Sequence, residues 1–207
     1  MNKKKCPTYS RKQLCFLVDQ WLESVHEPLF TKTYLNIEAT IEHLKKTTQL
    51  NYAEQPLGTT QNHKIMGVMI PEENAIYIDP CLNQNPNMKR FTQAHEIAHW
   101  ILHRDVDLAD YTLADTEQTL TQEKKLTTTY DWIEWQANTF AAFLLVPKKR
   151  FQNEINKALK LLNIHKHLQE LAPFEYVKIQ KILAHSFQVS QTVIAIHYQH
   201  KIKEIAN

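Results

Sequence analysis

Leu14, Leu17, Val18, Trp21, Leu22 and Val25 recur at intervals of one, three and four residues, the spacing that gathers apolar side chains along one stripe of a helix. Ser10 stands just ahead of them, with Gln13 three residues on. Each side chain of such a pair can cap the other's backbone N–H, which predicts a helix start here. A second, weaker helix is predicted from Tyr34 to Lys46. The pattern then changes: Lys64–Ile70 and Ala75–Asp79 are short β-rich runs separated by Pro71-Glu72-Glu73-Asn74, and together they predict a hairpin. Asn85-Pro86 offers an N-cap with proline in the first helical turn. From there Phe91, Ala94, Ala98, Ile101 and Leu102 mark the apolar face of a helix running to about His103. A further helix is predicted from Asp131 to Val146, stopped by Pro147. Helices are then predicted at 148–162, 173–185 and 190–203, with Pro173 and Ser190 at the starts of the last two.

Residues 105–131 break this rhythm. They hold Asp105, Asp107, Asp110, Asp115, Glu117, Glu123 and Asp131 against two lysines, with many threonines, and read as an acidic surface excursion. Only 2 of the 207 residues are glycine, which excludes a Gly-rich phosphate loop and a dinucleotide-binding fingerprint, since those backbones need several. Cys6, Cys15 and Cys81 are odd in number and have no CxxC spacing, so neither a disulfide framework nor a thiolate metal clip is expected. The basic opening MNKKK is followed by an apolar stretch of only Leu14–Val18, and Phe140–Val146 is the longest other apolar run. Both fall far short of the ~20 residues that span a bilayer. These features predict a soluble, cytoplasmic protein with no membrane partner.

The chemistry concentrates in His95-Glu96-Ile97-Ala98-His99, inside a predicted helix. The i, i+4 spacing puts both imidazoles on one face, about 6 Å apart along the axis, as two ligands of one ion require. Glu96 follows on the same open side, where a carboxylate can take a proton from water. The bland alternative is an amphipathic helix with two surface histidines; the apolar face lying opposite them weighs against it. A catalytic ion needs a third protein ligand. His103 is eight residues from His95, roughly 12 Å along the axis, and cannot reach the same ion. Asp105 would need a glycine at 102 to turn the chain back, and Leu102 stands there. Glu134 is the strongest candidate, because Ala137, Ala141 and Ala142 would let its helix approach the first one closely.

RFTQAHEIAHWILH, Arg90–His103, followed by EWQANTFAAFLLVP, Glu134–Pro147, resembles the ImmA/IrrE-type metallopeptidases, a gluzincin-like HExxH group. The resemblance covers roughly residues 30–147. It implies His95 and His99 as imidazole ligands, Glu134 as carboxylate ligand and Glu96 as catalytic base. It also implies a zinc ion (Zn2+), with Mn2+ or Fe2+ as other occupants of such a donor set. Phe143 and Val146 depart from the family's common glutamate and methionine, and the gap between His99 and Glu134 is longer than expected. An oxyanion donor is expected from Tyr130, Tyr111 or His103. Trp100, Trp132 and Trp135 flank the motifs, chiefly as core. The activity implied is that of an intracellular zinc-dependent endopeptidase of narrow specificity. Its protein substrate would be a helix-turn-helix transcriptional repressor.

Beyond Pro147 ten basic residues face four acidic ones, a balance of +6. Leu183–Ser190, then Val193 and Ile196, resembles a helix-turn-helix core. A DNA-reading helix usually offers Arg, Lys, Asn or Gln to base edges, and 190–200 carries Gln191, Gln199 and histidines but no arginine or lysine. Substrate docking or packing is therefore favoured over direct DNA binding. His197, His200 and Glu204 could form a weak surface site, but an exposed helix face is the plainer reading; His165 and His167 share no face. The expected fold is α+β: an N-terminal helix (1–30), a helix-rich zincin-like metallopeptidase domain with a small β-sheet (31–147), and a helical C-terminal module (148–207). Two rivals remain: a metal-sensing transcriptional regulator, and a toxin–antitoxin-like interaction protein with a non-hydrolytic metal site. A purely structural site needs ligands but no base, so Glu96 speaks against the last.

Overall fold

The computed structural model describes residues 6–25, 28–31, 33–60, 63–106, 114–116 and 127–205, the last seven of them as helical backbone. Helix α1 (Arg11–Ser24) starts where the sequence predicts: Ser10 accepts from the Gln13 N–H, and the Gln13 side chain caps Ser10 in return. Two short strands, β1 (Phe30–Thr31) and β2 (Tyr34–Leu35), pair antiparallel. Helix α2 (Ile37–Thr48) follows, so the predicted helix at 34–46 starts late. Asn36 accounts for the shift, because its side chain accepts the Ala39 N–H and fixes the helix start there.

The sheet contains β3 (Asn51–Glu54), β4 (Thr59–Thr60), β5 (His63–Ile70) and β6 (Ala75–Ile78) in the order β3-β6-β5-β4, and β7 (Ala114–Thr116) also pairs with β5. The predicted hairpin is β5-β6, paired antiparallel. Asn74 closes its turn at φ 48°, a left-handed conformation that asparagine tolerates. Its side chain then joins three elements: it donates to Thr48 O and Gln49 O at the end of α2, and accepts from Trp100 Nε1 at 2.7 Å. Strand β3 runs parallel to β6. Its residues Asn51, Tyr52, Ala53 and Glu54 show no apolar alternation because this edge strand is mostly exposed. Strand β7 replaces part of the expected acidic surface excursion, since Ala114, Asp115 and Thr116 add to the sheet and Thr116 is buried.

Helix α3 (Pro86–His103) is capped by Asn85 and lies against β5 and β6. Helix α4 (Thr129–Leu145) begins with a second reciprocal cap, Thr128 with Asp131. It packs along α3, and its small residues Ala137 and Ala141 are both fully buried. Phe140, Ile97 and Ile133 are also fully buried. Truncating a phenylalanine in such a position costs about 3–5 kcal/mol. Three further helices follow: α5 (Lys148–Leu161), α6 (Pro173–Phe187) and α7 (Gln191–Ile205). One hydrophobic cluster runs from Leu14 through the sheet and α4 to Val193 and Ile194 of α7. The architecture is thus helix-rich α+β. Among the described residues no helix is long and apolar enough to cross a membrane.

Candidate metal centre

Two helices supply the site. Along α3 the i, i+4 spacing stacks His95 and His99 edge to face, ring centroids 4.5 Å apart, with their Nε2 atoms 2.8 Å from each other. From α4, Glu134 brings Oε2 to 3.5 Å of His95 Nε2 and Oε1 to 3.5 Å of His99 Nε2. Ligand atoms of the three residues lie within 4.8 Å of one another, the one such group among the described residues. A tetrahedral ion with bonds near 2.1 Å holds its ligand atoms about 3.4 Å apart. The two histidine–carboxylate separations match this, and the two nitrogens need to part by roughly 0.5 Å. Two imidazole lone pairs and a carboxylate, converging in a buried space, are a donor set that favours a divalent cation.

The surroundings orient these donors. Asn138 lies one turn after Glu134 on α4, and its Oδ1 is 3.0 Å from His95 Nδ1. Accepting the Nδ1–H there leaves the Nε2 lone pair of His95 facing Glu134. Behind His99 stands His103, Nδ1 to Nδ1 at 3.1 Å. Burial, with a smaller contribution from His95, pushes the His103 imidazole down to about 3, so it is neutral at ordinary pH.

Glu96 is fully buried beside His95, under the β5 backbone at Gly67. A methyl group at Gly67 would run into Glu96 Oε1 and would lie 2.8 Å from Thr92 Cγ2. The close approach of strand to helix therefore requires glycine at this position. Sequence reasoning missed Gly67, although one of only two glycines in the chain, set inside a strand, is a signal for such an approach. It also missed Asn138, whose signal was its place four residues after Glu134 on one helix face.

Several expectations are corrected. The histidine face of α3 is not open: His95, Glu96, His99 and His103 are all fully buried, because α4 and β5 cover the side away from Ala94 and Ala98. His103 turns its Nδ1 to His99 in the interior, which removes it as an oxyanion donor. Tyr111 lies outside the described residues, whereas Tyr130 stands one turn before Glu134 on the same face of α4. Asp105 is exposed beyond the end of α3 and outside the ligand group. Trp100 is core, hydrogen-bonded to Asn74, and Trp132 and Trp135 pack edge to face, both half-buried. His197 is not on an exposed face: it is buried between Phe143 and Phe151, with Nε2 2.8 Å from Ala142 O. The side chains of His200 and Glu204 lie outside the described residues. Cys6, Cys15 and Cys81 form no disulfide with one another.

No curated protein matches this sequence significantly. Residues 56–197, however, match the peptidase M78 family, described as the IrrE N-terminal-like domain, a span that takes in both metal-site helices and continues into α7. The chain therefore belongs to this family of ImmA/IrrE-type metallopeptidases.

Proposed function

We propose that this chain is a zinc-dependent endopeptidase of narrow specificity, acting in the cytoplasm on a helix-turn-helix transcriptional repressor. The observation that carries the proposal is the convergence of His95 Nε2, His99 Nε2 and the Glu134 carboxylate beside Glu96 in a chain of a metallopeptidase family. His95, His99 and Glu134 would hold the ion, with zinc favoured and Mn2+ or Fe2+ compatible with the same donors. When bound, such an ion supplies Lewis acidity, polarising a peptide carbonyl and making water easier to deprotonate. Glu96 takes the proton of the attacking water and delivers it to the leaving amine as the C–N bond breaks. Asn138 holds the His95 ring in its productive tautomer through these events. Tyr130 is the donor best placed along the chain to meet the negative charge that develops on the carbonyl oxygen.

The three segments 1–30, 31–147 and 148–207 divide the labour in this reading. The last, with α6 and α7 as a helix-turn-helix-like pair, positions the protein substrate and does not read DNA. In support, Val193 and Ile194 are buried, and His197 of α7 is hydrogen-bonded to Ala142 of α4. The apolar side of the would-be recognition helix is thus buried in the protein, and His197 ties it to the helix that carries Glu134. To test the proposal, purified chain is incubated with the helix-turn-helix repressors of its own host, and products are read by mass spectrometry. Cleavage at one bond, abolished by chelator and restored by zinc, is expected. Cleavage that persists in chelator rejects the metallopeptidase reading, and intact repressors with another protein cut reject the substrate.

A further inference from the structure

Three imidazoles, His95, His99 and His103, run along one stripe of α3, with successive ring centroids 4.5 and 5.2 Å apart. The eight-residue spacing that keeps His103 away from the ion places its ring directly behind His99. We propose that His103 is a positioning residue of the metal centre: its Nδ1 lone pair accepts the Nδ1–H of His99 and keeps the His99 Nε2 lone pair aimed at the ion. The inference rests on the reading of His95, His99 and Glu134 as ligands.

His99 Nε2 faces His95 Nε2 at 2.8 Å and Glu134 Oε1 at 3.5 Å, so Nε2 is its ligating atom. A neutral imidazole that ligates through Nε2 carries its proton on Nδ1. That N–H points at His103 Nδ1, 3.1 Å away. Two N–H groups cannot meet head on, so His103 Nδ1 carries a lone pair and its own proton sits on Nε2. Both rings are fully buried, and no solvent can take the place of this contact. His103 Nε2 has no hydrogen-bond partner among the described residues, so the bond to His99 is the one the ring makes there. His95 is oriented by a different group, the Asn138 amide oxygen at 3.0 Å. The ligand rings are thus held from behind by an amide of α4 and by an imidazole of their own helix.

Groups that orient a ligating histidine typically contribute 10–100-fold in metal affinity. Zinc affinity of the full chain is measured by competition with a chromophoric chelator for wild type, His103→Leu and His103→Asn. Leucine fills most of the ring volume but offers no acceptor. Asparagine puts Oδ1 where Nδ1 stood and leaves the far half of the ring space empty. Acceptance of the His99 proton predicts that the leucine variant is loosened about 10–100-fold, while asparagine stays within about threefold of wild type. Pure packing predicts the reverse order. A leucine variant within about threefold of wild type, or an asparagine variant as weak as leucine, overturns the proposal. A wild-type chain that binds no zinc overturns the ligand reading itself, a separate result. Should circular dichroism show that a variant is unfolded, zinc-loaded wild type decides by long-range 1H–15N imidazole correlations. A proton on Nδ1 of His99 and on Nε2 of His103 is expected, and a proton on Nδ1 of His103 overturns the assignment.

Discussion

Replacing Gly67 by alanine tests whether the β5 backbone sets the position of Glu96. The added methyl would lie 2.8 Å from Thr92 Cγ2 and would overlap Glu96 Oε1. Carbon–carbon contacts ordinarily sit at about 3.5–4.0 Å, so the clash with Thr92 is about 1 Å deep. Thr92 yields little, because it is fully buried and its hydroxyl donates to Met88 O at 3.0 Å. The Glu96 carboxylate is the end of a flexible side chain and gives way more readily. Overpacking of this kind costs about 1–3 kcal/mol, which for a chain of this size lowers Tm by roughly 3–10 °C. A base displaced by about 1 Å costs about 100-fold in rate. The expected result is therefore selective: a modest loss of Tm, zinc content unchanged, and kcat/KM for the intact substrate lowered about 100-fold. Tm is read by circular dichroism, zinc by atomic absorption and cleavage by mass spectrometry. Wild-type cleavage together with wild-type Tm would refute the argument, since it would mean that β5 does not press on Glu96.

Other predictions concern the ligands and the frame. Glu134→Ala should lose most bound zinc while Asp105→Ala keeps it, as measured by equilibrium dialysis; equal loss from both would overturn the choice of third ligand. Asp79 is buried, and burial alone would raise its carboxyl. Backbone N–H groups of Leu57 and Cys81, with Lys64, outweigh that and hold it at about 2. Because its folded-state value is depressed, this carboxylate stabilises the fold above its ordinary value of 3.8 and ceases to do so as pH falls through about 2. Asp79→Asn should accordingly be less stable than wild type at pH 7, with the difference in denaturant midpoint closing between about pH 4 and pH 2. A difference that does not change with pH would contradict this. His197→Phe should keep the apolar contacts with Phe143 and Phe151 but lose the bond to Ala142 O, which still accepts the Val146 N–H, costing about 0.5–1.5 kcal/mol in urea unfolding. No loss would show that the bond does not anchor α7.

What could be read from the sequence was local or carried by chemistry. Ser10 with Gln13 and Asn85 before Pro86 mark helix starts because a cap is decided by residues three apart. His95, His99 and Glu134 could be brought together across the gap because two helices bearing small residues and ligands have few ways to pair. The misses are long-range or lack a periodic signal. Strand β3 is polar and exposed, so only its pairing with β6 makes it a strand. Strands β1 and β2 have two residues each, too few to show alternation. The burial of His197 depends on α7 packing onto α4, and charge and periodicity within α7 carry no trace of that partner. His103 was weighed as a ligand and as an oxyanion donor, and its hydrogen bond to His99 depends on ring orientations that spacing along the helix does not give.

The central claim, that His95, His99 and Glu134 hold an ion for hydrolysis by Glu96, is tested most directly by measuring zinc content and substrate cleavage on one preparation of Glu96→Gln. Glutamine keeps the shape of Glu96 and leaves the three ligands untouched, but it cannot accept the proton of the attacking water. The account predicts one zinc per chain, an unchanged circular dichroism spectrum, and a rate of peptide-bond cleavage lowered by about 10²–10⁴-fold. Full cleavage by zinc-loaded Glu96→Gln would contradict it.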